Sequence, residues 1–301
     1  MWFRNVQPFR LSGNFYSEET VETALAKHAA RDPGPLETEA WGWAPVLAET
    51  DARALQVEGR FVLRLRRSER ILPASVVRDE VAKRVEALEA EQDREVYRKE
   101  RTRIREEVQL ELLPRAFVRS KDTLLLVAPK ESWVFVDTPN RTVAEDVTKH
   151  LRDALGSLPL ENVECQESAG AMMTRWLGAG AAKGVFDLGE ECELRAATSG
   201  IVRVRDLDLA SPEIRNHLRQ GLHAHQLALV WPDHLRFVLE ADGSCKRLHF
   251  EEALRNVGEE MEDPLAQQAA DLLMLSAELV QLYTHLCEVL GGPVRNQSSS
   301  G

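Results

Sequence analysis

Apolar and polar positions follow two periods along this chain. Phe61, Leu63 and Leu65 alternate with Val62, Arg64 and Arg66, the pattern of a strand with two unlike faces. Val77, Val81, Val85 and Leu88 recur at helical spacing, on one face of a helix. Applied to the first third, these periods predict strands over 2–11, 41–46 and 59–65. Ser17 opens a helix with Glu18 and Glu19 in its first turn, and Asp32-Pro33-Gly34-Pro35 ends it. A helical stretch then begins after Leu72-Pro73 and reaches about Leu113. As one rod it would be about 60 Å long. Its apolar support thins at Glu91-Gln92-Asp93, which predicts a break near Asp93 and a helical hairpin or a kink.

Pro114 stops that stretch. A strand hairpin is expected from 123–127 and 133–136 around Pro129-Lys130, then a helix over 142–155 closed by Gly156. A short helix covers 169–177. Strands at 193–197 and 201–204 flank Ser199-Gly200. Ser211, before Pro212 and Glu213, has the residue pattern of an N-cap for a helix ending near Gly221. Strands follow at 223–230, 236–240 and 246–250, the last two joined by the turn pair Asp242-Gly243. Asp263-Pro264 opens a final helix reaching about Leu290, and Asn296 to Gly301 reads as a disordered polar tail. The fold class is therefore α/β of the mixed α+β kind, with antiparallel sheets and packed helices.

Composition narrows the function classes. The 301 residues are 44% hydrophobic and 29% charged, an ordinary globular balance. Apolar runs such as Leu124 to Ala128 are too short to span a bilayer, and the first five residues lack a basic region ahead of an apolar one, so no membrane segment or export signal is expected. Cys165, Cys192, Cys245 and Cys287 share no C-x-x-C spacing and read as buried packing thiols in a reducing cytoplasm. Net charge is −11, which alone argues against nucleic acid as a partner. The distribution reverses that argument. Residues 60–121 hold 17 Lys/Arg against 12 Asp/Glu, whereas residues 251–301 hold nine acids and two bases. Phosphates would be attracted to one surface and repelled from the rest.

Candidate chemistry is sparse. The run from Gly178 through Gly180 to Gly184 fails both phosphate-loop patterns, because Lys183 precedes Gly184 and the run closes a helix. His223, His225 and His249 could meet on neighbouring strands but have no carboxylate at a ligand spacing, so neither metal nor cofactor is expected. Arg94, Arg98, Arg101 and Arg105, spaced 4, 3 and 4 residues apart, would share one helix face, either crossed by ion pairs or tracking phosphates. Arg115, Arg119 and Lys121 extend the basic character, and Lys246-Arg247 follows the Asp242-Gly243 turn.

At Leu112-Leu113-Pro114-Arg115-Ala116-Phe117 the sequence resembles the RdgC family of recombination-associated proteins. Trp2-Phe3-Arg4-Asn5, Gly42-Trp43, Ile71-Leu72-Pro73, the 88–92 segment, Leu155-Gly156-Ser157-Leu158-Pro159, Leu227-Ala228-Leu229, the 242–248 segment and Leu290-Gly291-Gly292 support it, in order along nearly the whole chain. The resemblance implies a two-fold homodimer closed into a ring, with a projecting helical tip and a basic hole wide enough for duplex DNA. It implies sequence-independent DNA binding that limits the RecA recombinase, a cytoplasmic and nucleoid-associated location, and no catalysis. Single-stranded DNA is a possible further ligand. Phe117 matches the family's ring-closing phenylalanine. Asp206-Leu207 stands where the family has a Lys-Gln gate pair, so that contact must differ here; Asp93 stands where a glycine is familiar. The expected DNA contacts are Arg94, Arg98, Arg101, Arg105, Arg115, Arg119, Lys121, Lys246 and Arg247.

The resulting division of the chain is 1–73 as the first part of a central α/β domain, 74–120 as the helical tip and 121–165 as the return to the centre. Residues 166–292 form a C-terminal α/β region and 293–301 the tail. Two alternatives stay open. One is a protein-interaction module using the helices at 74–113 and 263–290; the other is a metal-dependent nuclease.

Overall fold

Two halves of one sheet meet along the first strand. The computed structural model describes residues 2–47, 50–255 and 263–294. The expected tail at 296–301 lies outside them. In chain order the elements begin with β1 (Asn5–Leu11), α1 (Glu18–Lys27), β2 (Glu39–Ala44), β3 (Ala54–Val57), β4 (Arg60–Ile71), α2 (Ala74–Gln92) and α3 (Arg98–Leu112). Next come β5 (Phe117–Ala128), β6 (Trp133–Val136), α4 (Arg141–Leu155), β7 (Leu160–Glu161), α5 (Ala169–Ala179), β8 (Asp187–Ala196) and β9 (Ile201–Val204). Last are α6 (Pro212–Arg219), β10 (Leu222–Trp231), β11 (Leu235–Glu240), β12 (Cys245–Phe250), α7 (Glu252–Arg255) and α8 (Pro264–Val289). The strand order is β2-β4-β5-β6-β1-β12-β11-β10-β8-β9, with β3 beside β4 and β7 beside β1, and the pairs are antiparallel. β1 joins the halves by pairing Asn5 and Val6 with β12, and Gln7 to Arg10 with β6.

The half around β5 is covered on both faces. Leu125 and Val127 pack with Val21 and Leu25 of α1 and with Ala144, Val147 and Leu151 of α4. Leu126 and Ala128, pointing the other way, join the cluster that includes Leu272, Leu275, Leu279 and Tyr283 of α8. A strand buried on both faces needs a continuous apolar run, which is what 124–128 supplies. Among the described residues, the other half has helices packed on one face and grooves on the opposite one. Leu227, Leu229 and Trp231 of β10 are buried in the cluster shared with α5 and α6, while Gln226, Ala228 and Val230 line open grooves.

Helix ends follow their capping chemistry. The Ser17 hydroxyl accepts the backbone N–H of Thr20 at 3.4 Å, and Asp263 Oδ1 accepts that of Leu265 at 3.0 Å. Ser211 precedes α6 as expected, but its hydroxyl makes no capping bond; Pro212 at the first turn removes one N–H from need of a cap. α1 ends at Lys27, short of the Asp32-Pro33 stop, because the chain at Ala29 and Ala30 turns to bridge Trp43. Gly42 admits this approach: a Cβ there would lie 2.5 Å from the Ala29 carbonyl oxygen. β4 runs six residues beyond the expected Leu65, because β5 extends alongside it from Ile71 and Phe117 inward.

Candidate nucleic-acid interface

Asp93 ends α2 in a left-handed conformation, φ 48° and ψ 44°, which short polar side chains tolerate better than most. α3 therefore folds back along α2 as a hairpin. The two helices close on a small core of Val77, Val81, Val85, Ile104 and Val108, rimmed by Leu72, Leu88, Val96 and Leu112. Glu89 accepts the Val96 backbone N–H at 2.9 Å and fixes the turn. Arg84 ties the helices together through both oxygens of Glu111, at 3.0 and 2.5 Å. That hydrogen bonding holds Glu111 below the usual carboxylate range.

The arginine stripe differs from its expected form. Arg98, Arg101 and Arg105 lie exposed on α3 at the three- and four-residue spacings of one face. Arg94 lies in the turn instead, because the chain breaks its helical period at Asp93. The guanidinium of Arg94 donates to both oxygens of Glu100 at 2.8 Å, and this bonding lowers the Glu100 carboxyl. Arg98, Arg101 and Arg105 form no ion pair with a described residue, and neither do Arg115 and Lys121.

Past α3, Leu113–Arg115 make one 3-10 turn that delivers the chain to β5. Arg70 pins this corner. Its guanidinium donates to the carbonyl oxygens of Leu113, Pro114 and Ala116 at 3.2, 3.4 and 3.3 Å, and to those of Gly34 and Pro33 at 3.3 and 3.0 Å. Sequence reasoning missed Arg70. Its acceptors are backbone atoms of two distant loops, which carry no sequence signal.

In the β4–β5 ribbon, Ile71 stands opposite Phe117, Glu69 opposite Arg119 and Arg67 opposite Lys121. Opposed residues share a face, so Phe117, Arg119 and Lys121 lie on the same side as Ile71, Glu69 and Arg67. Glu69 accepts the Arg119 guanidinium and is held below its ordinary range by it. Glu39 accepts Arg67 at 2.6 Å. Phe117 is 85% exposed, and Ile71, Tyr97, Leu110 and Val118 of the same hairpin and ribbon are exposed too. Phe117 and Ile71, opposed on one ribbon face, form an exposed apolar pair there, whereas Val118 faces the other side.

The remaining expected contacts lie elsewhere. Lys246 and Arg247 sit on β12, in a groove lined also by Glu191, Glu193, Arg203 and Arg205 but by no residue of 94–121. Lys246 pairs with Glu240 at 3.2 Å and Arg247 with Glu191 at 2.5 Å, so both charges are already matched. Asp206, in left-handed geometry, and the exposed Leu207 follow β9. Gly180 caps α5 at φ 73°, as the failed phosphate-loop pattern implied. His225 falls at a register shift of β10, and β11 separates that strand from the strand of His249. Among the described residues, no three His, Cys, Asp or Glu side chains group as a metal site, and no helix is long and apolar enough to cross a membrane. Two cysteines depart from expectation. Cys192 and Cys245 are buried, but Cys165 and Cys287 are partly exposed and meet, Sγ to Sγ, at 3.5 Å.

Comparison with known proteins covers nearly the whole chain. The family model described as "Putative exonuclease, RdgC" matches residues 1–293. A protein of Tolumonas auensis named recombination-associated protein RdgC is 37% identical over 298 residues, spanning 97% of this chain and 99% of its own. Proteins of the same name from Pseudomonas aeruginosa PAO1 and Pseudomonas fluorescens Pf0-1 are each 38% identical over 299 residues, spanning 97% of this chain and 98% of theirs.

Proposed function

The chain belongs to the RdgC family of recombination-associated proteins, and from that premise we propose that it binds duplex DNA without reading its sequence, as a homodimer closed into a ring around the duplex. Bound there, it limits access by the RecA recombinase during recombination and replication restart, and resides in the cytoplasm with the nucleoid. The observation that carries this reading is one projection bearing unmatched cations beside an exposed aromatic. Arg98, Arg101 and Arg105 form no ion pair among the described residues, Arg115 and Lys121 feel only the more distant charges of Glu111 and Asp137, and Phe117 is 85% exposed.

Arg98 to Arg105 spread three guanidinium groups along about 10 Å of helix. A duplex offers a phosphate charge every ~1.7 Å of its axis, so such a row finds partners at any register and reads no bases. The net charge of −11 repels DNA from the remaining surface. Phe117 supplies the ring-closing contact by burying its side chain against the partner, the usual role of an aromatic anchor. We assign no catalytic step.

A second reading is favoured by the word exonuclease in the family's description. One experiment separates the two. Anisotropy of labelled duplexes of unrelated sequence, and of single strands, is followed across a salt series while light scattering gives the mass. The proposal predicts a dimer, similar affinities for all duplexes, weakening with salt, and intact DNA in Mg²⁺. Shortening of the DNA that needs Mg²⁺ and stops with chelator would establish the nuclease. A protein that binds nothing at low salt would leave only the protein-interaction reading.

A further inference from the structure

We propose that Cys165 and Cys287 form a reactive dithiol, a site where hydrogen peroxide or a similarly small, uncharged peroxide is consumed and an intrachain disulfide is left behind. Two observations carry it. The sulfurs are 3.5 Å apart although 122 residues separate them in sequence. A disulfide needs about 2.0 Å, so the sulfurs have about 1.5 Å to close. Both thiols are reachable, in contrast to the fully buried Cys245: a cavity of about 310 Å³ is lined by both Cys165 and Cys287, and Cys192, which borders a separate groove, has no second sulfur beside it among the described residues.

The charge of that cavity selects the oxidant. Glu164, Asp242 and Glu167, the last paired with Arg175, line it, with no lysine or arginine among the described residues. A small neutral peroxide enters where an anionic disulfide is repelled. Cys287 also borders a second cavity with Arg10, Glu131, Glu164 and Glu288. The contact between the sulfurs, aided by the Arg10 charge, brings the Cys165 thiol down to about 7 and pushes Cys287 up. In the proposed reaction Cys165 is the attacking sulfur. The thiolate is the nucleophile. Cys165 attacks one peroxide oxygen; the S–O bond forms, the O–O bond breaks, and hydroxide leaves, giving a sulfenic acid. Cys287 then attacks that sulfur, giving its proton to the departing oxygen, so that water leaves and the S–S bond closes.

The backbone is arranged to benefit. Gln166 and Glu167 donate to the carbonyls of Gly292 and Leu290, and Val294 donates to Glu164, each at 3.0 Å. The disulfide would staple this short ladder to the last turns of α8.

The test treats the full chain with hydrogen peroxide, then combines intact mass, differential alkylation and peptide mapping, with circular dichroism to confirm folding of C165S and C287S. The wild type should lose two hydrogens, yield a Cys165–Cys287 linked peptide, regain both thiols with reductant, and unfold at a higher temperature when linked. C287S should hold a sulfenic acid at Cys165 that dimedone traps, and C165S should leave Cys287 reduced. Oxidised glutathione at equal concentration should react more slowly. Both thiols surviving peroxide, a link involving Cys192 or Cys245, a link between chains, or oxidation of Cys287 in C165S would each overturn the proposal.

Discussion

Within β5 the chain passes from one kind of structure to another. Phe117 to Asp122 are exposed along the open edge of the β4–β5 ribbon, whereas Leu125 to Ala128 are sealed between helices on either side. The layered half rests on two large clusters of buried side chains; the α2–α3 hairpin rests on five buried residues of its own. Charge follows the same division. On the open face of the other sheet half, Lys246 and Arg247 already have acidic partners, whereas three arginines of α3 have none. The layered body carries most of the buried apolar side chains, and the α2–α3 hairpin keeps three arginines exposed to solvent. Cations there cost little stability because they stay hydrated.

The largest expected effect belongs to the body. Leu125→Ala should cost about 2–5 kcal/mol of global stability in urea titration. A near-neutral result would break the contrast at its foundation. Arg70→Ala should cost about 1–3 kcal/mol, since several carbonyls lose a charged donor. Hydrogen exchange should rise at the corner around 113–117 and not in the sheet. Phe117→Ala should change unfolding of the chain by less than about 0.5 kcal/mol, while light scattering shows the proposed dimer weakened. Unfolding that shifts as much as for Leu125→Ala would mean that Phe117 serves a core.

Acid sharpens the comparison by the smallest margin. Glu100 and Glu111 have folded values lowered by Arg94 and Arg84. Their contribution is present above the unfolded carboxylate value, about 4.3, and is lost as pH falls through the lowered folded values. Amides of the hairpin should therefore lose protection on acidification before those of β5 and β6, as read by hydrogen exchange. Equal loss in both regions would remove the distinction.

Much of the body was legible in the sequence because covered elements must carry a period. The Leu124–Ala128 run, the Ser17 cap and the Asp93 break all announced themselves, and the structure has each. The ribbon was not legible. Without a covering layer, residues 117–122 have no apolar side to alternate, so period-two reading stopped at Thr123. β3 and β7, with four and two residues, are too short to show a period. The basic candidates were found as residue types, but their partners were hidden. Glu69, which matches Arg119, lies 50 residues away, and the helix break that removes Arg94 from the stripe is resolved only by its dihedral angles.

The most direct test compares the salt dependence of duplex binding in two variants. One replaces Arg98, Arg101 and Arg105 with Ala; the other replaces Lys246 and Arg247 with Ala. Each lost phosphate contact flattens the slope of log K against log salt by about 0.9. The account predicts a slope flatter by up to about 5.4 in the first variant, since the ring loses three arginines from each protomer, and an unchanged slope in the second. The reverse pattern, with the α3 variant indistinguishable from wild type, would contradict it.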